Sequence, residues 1–204
     1  MAEAEAVGAA TREGTERVDR LVRGLREADA AAQAELCDGF GPRISRYLAS
    51  RLGPRADAAE DLMIQTLVEA SRNISRFDPR KATFVAWIFG IARRQAQLEL
   101  RRQRRRRSVP TSVQTSLDSV AEQSAPGDLA EATASRIEAK RQVSKLVGYL
   151  SGAEMEVLVL RCLHQLSVKE IGQVLGRSER AIDSLLHRAK RKARERLADD
   201  AGTV

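Results

Sequence analysis

The chain is short of the residues that most catalysis and most metal binding require. Its 204 residues hold two histidines, His164 and His187, and two cysteines, Cys37 and Cys162. There is no Gly-rich phosphate loop with its lysine and no plausible nucleophile–base–acid set, so an enzyme is excluded and no cofactor is called for. Two cysteines far apart in sequence do not read as a disulfide framework; both sit in apolar helical patterns and read as buried, reduced thiols. Cys162 with His164 is the nearest thing to a metal pair, and no second pair completes a site. No apolar run approaches the roughly 20 residues of a membrane span, which excludes membrane insertion. The Ala/Glu-rich start lacks a basic-then-apolar signal pattern, so a cytoplasmic location is expected. Strand alternation is missing too, while Ala, Leu, Glu, Arg and Gln abound, so the expected fold is all-α.

What is present is positive charge. The net charge is +7 and the pI about 10.0, as suits a polyanionic partner. The charge is clustered: six arginines fall within Arg101–Arg107, and eight Lys or Arg within Arg177–Arg196. The second cluster lies in LSVKEIGQVLGRSERAIDSLLHRAKRKARERL, Leu166–Leu197. Ser167 and Glu170 form an S-x-x-E capping box. Val168, Ile171, Val174 and Leu175 follow on one helical face. Gly176 supplies the positive φ of a tight turn, and Ser178 caps a second helix with Glu179 in its first turn. Ile182, Leu185, Leu186 and Ala189 make that helix's apolar stripe. Arg180, Asp183, Ser184, His187, Arg188 and Arg191 are left to face outward. This is the pattern of a helix-turn-helix that puts its second helix into a DNA major groove. An ordinary helical hairpin with a solvated basic face would read the same way.

Residues 1–17 read as a disordered tail. A helical pattern runs from near Val18 through Leu36, Phe40, Ile44, Tyr47 and Leu48, with an interruption at Gly39–Pro42. Gly53-Pro54 is a break, and Asp57 with Glu60 starts a helix that continues through Leu62, Leu67 and Val68. Phe77-Asp78-Pro79 is a turn. A long helix from about Ala82 carries Phe84, Ile88, Ile91 and Leu98 on one side. Residues 108–140 then hold nine Ser/Thr and two prolines, the composition of a linker, with a helix restarting near Leu129. Ser151 and Glu154 form a further capping box before Val157, Leu158 and Leu160. The expected organisation is two small helical domains, at 18–107 and 135–198, with a flexible linker at 108–134 and a short tail at 199–204.

Phe77, Phe84, Trp87 and Phe89 lie within 13 residues, just before Arg93, Arg94 and the run from Arg101. Aromatics beside a basic track suit single-stranded nucleic acid, whose bases stack on rings while arginines follow phosphates. Phe84 shares a face with Ile88 and Ile91 and reads as core, and Trp87 reads as core or as platform. Arg76, Arg80, Lys81 and Thr83, in the loop before the helix, are better placed to touch an unstacked base.

Taken together, these pieces resemble the extracytoplasmic-function (ECF) sigma factors of bacterial RNA polymerase. Three segments carry the resemblance, in order. Ala59-Glu60-Asp61-Leu62 with its helix looks like the polymerase-docking segment. RFDPRKATFVAWIFGIARRQAQLELRRQRRR, with its F-x-x-W-I-x-x-I-A-R pattern, is similar to the promoter-melting segment. The C-terminal stretch looks like the reader of the upstream promoter element. The resemblance implies docking on core polymerase through Glu60, Asp61, Leu62, Ile64 and Gln65. It implies contact with the single-stranded -10 element through Arg76, Arg80, Lys81, Thr83, Trp87, Arg93, Arg94 and Arg101. Duplex -35 DNA would be met by Arg177, Arg180, Asp183, Ser184, His187, Arg188, Lys190 and Arg191. The polymerase would supply all catalysis, and an anti-sigma factor is a further implied partner. Some positions depart from the family pattern. Ile64-Gln65 stands where Gln and an acid are usual, and Arg94 and Leu98 where Asn and Asp are common. Asp183 and Leu185 stand where Lys and Arg are frequent; Leu185 falls on the apolar stripe, and Asp183 suits a cytosine amino group or a neighbouring arginine. A stand-alone, sigma-like DNA-binding regulator is the alternative. Two sites two duplex turns apart are separated by about 70 Å. A flexible linker of about 30 residues has a root-mean-square span near 30 Å, so it would bridge them only when stretched.

Overall fold

The computed structural model describes residues 16–53, 58–107 and 149–201. All regular structure among them is helical. They divide into two compact units, the first made essentially of residues 16–107 and the second of residues 149–201.

In the first unit, α1 spans residues 16–26, α2 spans Ala30–Leu52, α3 spans Ala58–Arg72 and α4 spans Phe84–Arg107. Asp29 caps α2, its carboxylate accepting the Ala32 amide at 3.0 Å. The expected interruption at Gly39–Pro42 is absent, because α2 runs straight through with Pro42 inside it. An interior proline normally breaks a helix. Here Phe40, Gly41, Ile44, Tyr47 and Leu48 on either side are all buried, and that packing holds the helix together. Asp57, expected to start α3, lies outside the described residues. The core is closed by α4 through Phe84, Ile88, Phe89 and Ile91, with Phe40 and Phe84 edge to face at 5.3 Å. Leu98, expected on that same side, is 42% exposed. The last buried residue described in α4 is Ala96, so Leu98 and the arginines after it run past the core.

In the second unit, α5 spans Gly152–Leu158 and continues as a wide π-type turn, Val159–Leu163. Then come α6, Val168–Leu175, and α7, Glu179–Ala201. Both expected capping boxes form, Ser151 with Glu154 and Ser167 with Glu170. The apolar stripe Ile182, Leu185, Leu186 and Ala189 is buried together with Leu160, Leu166 and Ile171. The π-type turn departs from the expected regular helix; its longer i→i+5 hydrogen bonds widen the turn and rotate the downstream residues. Cys162 is exposed in consequence, contrary to the expected buried thiol; Cys37 is exposed as well, one position off the buried Leu36. The expected linker and the helix restart near Leu129 lie outside the described residues.

Candidate nucleic-acid interface

The turn between α6 and α7 is built on backbone. Gly176 takes the left-handed conformation at φ 65°, and the Arg177 amide donates to the Gly172 carbonyl at 2.9 Å. A Cβ on Gly172 would lie 2.7 Å from the Arg177 carbonyl oxygen, so this close approach admits only glycine. Ser178 opens α7, its hydroxyl accepting the Ala181 amide at 3.4 Å. With the stripe from Ile182 to Ala189 facing inward, Arg177, Arg180, Asp183, Ser184, His187, Arg188, Lys190 and Arg191 are all exposed. Asp183, Ser184, His187 and Arg188 line one shallow depression on this face. The Ser184 hydroxyl donates to the Arg180 carbonyl at 2.9 Å, which leaves its oxygen free to accept. Arg191 is 3.7 Å from Glu195, an exposed pair that offsets part of its charge.

One part-buried ion pair fixes α7 on its support. The Lys192 ammonium donates to Glu154 at 2.9 Å, and Glu154 is 4% exposed. The hydrogen bond from the Ser151 amide and that from Lys192 hold the Glu154 carboxyl at about 2, below its ordinary 4.5, although burial pushes the other way. The capping carboxylate of α5 is thus also the anchor of α7.

In the first unit, the segment from Arg76 to Thr83 leads into α4. Phe77 is buried, its ring 5.5 Å from Phe84 and 5.4 Å from Trp87. Asp78 then orders the loop: its carboxylate accepts the Arg80 amide at 3.0 Å and its carbonyl accepts the Lys81 amide at 3.0 Å. Thr83 caps α4 by accepting the Ala86 amide at 3.2 Å. Arg76, Arg80, Lys81 and Thr83 are exposed, and Trp87 is half-buried at the edge of the aromatic cluster. Arg93 is half-buried, while Arg94 and Arg101 are exposed on α4. Arg94 is ion-paired with Glu69 of α3, which also accepts from Gln95 at 2.6 Å. Sequence reasoning missed Glu69, since nothing local to it signals a partner on another helix.

On α3, Glu60, Asp61, Ile64 and Gln65 are exposed. Leu62 is not: at 5% exposure it belongs to the inner stripe with Ala59, Thr66 and Ala70, so it supports the expected docking face from beneath rather than forming part of it. Val68, 42% exposed and one turn beyond Ile64, extends that face. Among the described residues, no three His, Cys, Asp or Glu group as metal ligands, and no helix is long and apolar enough to cross a membrane.

Such a fold and such faces define a helical protein with a helix-turn-helix unit and a second basic unit. Residues 39–106 match the Sigma-70 region 2 family model, and residues 140–192 match Sigma-70, region 4. The chain is 32% identical over 187 residues to the ECF RNA polymerase sigma factor BldN of Streptomyces coelicolor, covering 91% of this chain and 67% of that one. It is 23% identical over 184 residues to the ECF RNA polymerase sigma factor SigW of Bacillus subtilis, covering 89% and 97%. Its fold is similar to the sigma factor RpoE of Bartonella quintana, solved with the anti-sigma factor NepR, at a TM-score of 0.61 and 24% identity over 79% of this chain and 94% of that one. The chain belongs to the ECF sigma factors of RNA polymerase. The stand-alone regulator is not favoured, because the kinship spans both sigma regions.

Proposed function

We propose that this sigma factor works as a non-catalytic specificity subunit in the cytoplasm, with the labour divided between its two units. In this reading the α3 face of Glu60, Asp61, Ile64 and Gln65 docks core polymerase. The loop carrying Arg76, Arg80, Lys81 and Thr83 captures an unstacked base of the -10 element. Trp87, Arg93, Arg94 and Arg101 track the single strand beside it. Flipping a base costs a few kcal/mol, which binding to the polymerase complex offsets. In the same reading α7 enters the major groove of the -35 element. Arg180, Asp183, Ser184 and Arg188 face base edges, and Arg177, His187, Lys190 and Arg191 meet phosphates. The observation that carries this reading is the clean split of α7, with an apolar stripe wholly buried and every polar candidate on the opposite side.

An anti-sigma factor is the further partner. Ile64 and Val68 are exposed apolar residues on the expected docking face, and a soluble inhibitor would cover them when polymerase does not.

The test is transcription from genomic DNA by core polymerase with and without the protein, with transcript starts mapped. New starts sharing an upstream motif are expected. Arg188→Ala is expected to blur that motif about tenfold or more while leaving polymerase affinity unchanged. Absence of new starts would reject the sigma reading, and equal loss of both properties would reject the division of labour.

A further inference from the structure

The loop before α4 is tethered by a residue far away in sequence. Arg26, the last residue of α1, donates from its guanidinium to the Phe77 carbonyl at 3.2 Å. That carbonyl sits at the loop's root, immediately before the Asp78 turn. The Phe77 ring is already clamped between Phe84 and Trp87. Arg26 therefore holds the backbone group through which the root could still pivot.

The corner that carries Arg26 is itself tightly set. A Cβ on Gly24 would lie 2.6 Å from the Ala32 Cβ, so α1 and α2 touch there at backbone distance. The Asp29 amide donates to the Gly24 carbonyl at 2.9 Å, the Asp29 side chain caps α2, and Ala28 takes a positive φ of 56°. Leu21 and Leu25 are buried beside it. Arg26 is itself exposed, but its backbone is set by this corner, so its side chain reaches the Phe77 carbonyl as a strut from a fixed base.

We propose that Arg26 is a positioning residue for promoter melting: it pre-organises the loop of Arg80, Lys81 and Thr83 so that only a correctly placed unstacked base is captured. The inference rests on the reading of that loop as the base-capturing element. Losing the strut leaves the loop's residues in place but spreads their positions, which weakens discrimination more than overall affinity.

The test uses holoenzyme assembled from core polymerase with wild type, Arg26→Ala, Arg26→Lys, and the double loop variant Arg80→Ala/Lys81→Ala. Opening is followed by 2-aminopurine fluorescence in the -10 element. Selectivity is read as binding to forked templates, strands already separated, with correct or scrambled -10 bases. Arg26→Ala is expected to open about tenfold more slowly and to lose about tenfold in selectivity, as fits one charge-assisted hydrogen bond. Its polymerase affinity should match wild type and its melting temperature should fall by no more than the few degrees one hydrogen bond is worth, while Arg26→Lys, which keeps a cationic donor, should recover most of the loss of opening and selectivity. The proposal is overturned if Arg26→Ala opens and selects like wild type while the loop variant is impaired. It is overturned equally if both Arg26 variants fail together with a lowered melting temperature, since Arg26 would then be merely structural. A loop variant that opens and selects normally would instead remove the loop reading, and this inference with it.

Discussion

Gly172 shows how far a single hydrogen atom can matter. Replacing a helical glycine by alanine ordinarily stabilises a protein by about 0.5–1 kcal/mol, because glycine has more freedom to lose on folding. Gly39 in α2 meets that case, with nothing within 4 Å of an added Cβ. At Gly172 the added carbon would meet the Arg177 carbonyl at 2.7 Å, and a backbone atom cannot swing aside. The clash, worth about 1–3 kcal/mol, outweighs the entropy gain. Thermal unfolding should thus place Gly39→Ala above wild type and Gly172→Ala below it by several degrees, with upstream-element binding lost in the latter. A Gly172→Ala melting temperature at or above wild type would refute the backbone account of the turn. Little of this is legible in the chain itself. Gly176 can be read from its place after an apolar run, because positive φ is a local demand. Gly172 lies inside a helix, and its constraint comes from a turn that folds back over it.

The elements with the clearest beginnings are those whose signals are local. Ser151–Glu154 and Ser167–Glu170 each place both partners within one turn, so spacing alone reveals them. Signals that depend on packing mislead. Pro42 suggests a break that buried neighbours on α2 override, and a 3.6-residue period turns Cys162 inward because it cannot register a π-type turn. Glu154 joins the two classes, since it caps α5 locally and anchors α7 at a distance. Its lowered pKa makes the second unit acid-sensitive. The carboxylate stabilises the fold fully above its ordinary 4.5, and that stabilisation fades as pH falls through 4.5 toward about 2. In full it is on the order of 3 kcal/mol. Denaturant unfolding at pH 7 and pH 3 should show this loss, and Lys192→Met should lower stability at pH 7 by about 1–3 kcal/mol while flattening the acid dependence. An unchanged acid profile in Lys192→Met would show that the pair does not couple the helices.

At the scale of the whole molecule, order along the chain is more informative than any one motif. A lone helix-turn-helix admits many functions, whereas Asp61, Trp87 and Arg188 in sequence admit few. The division between what reads locally and what does not also runs through the candidate site. The outward face of α7 follows from periodicity, while the Glu69–Arg94 pair and the burial of Leu62 require α3 and α4 to be packed. The fully buried residues of α4 end at Ala96, with Glu99, Leu100 and Gln103 half-buried beyond it, while α4 continues to Arg107. None of the described side chains beyond Ala96 on α4 is buried, and Arg101 with Arg105 sets like charges four residues apart, each such pair costing about 0.2–0.5 kcal/mol. Arg102 finds Glu99 only at 3.9 Å. This end should behave as a helix–coil equilibrium governed by ionic strength. Helical ellipticity is expected to rise between about 10 mM and about 0.5 M fluoride salt, and an Arg102→Gln/Arg105→Gln variant should already be helical at the lower value. A salt response identical in both proteins would exclude it. If the response is as expected, the polyanion that this arginine track meets would also finish winding the helix that receives it.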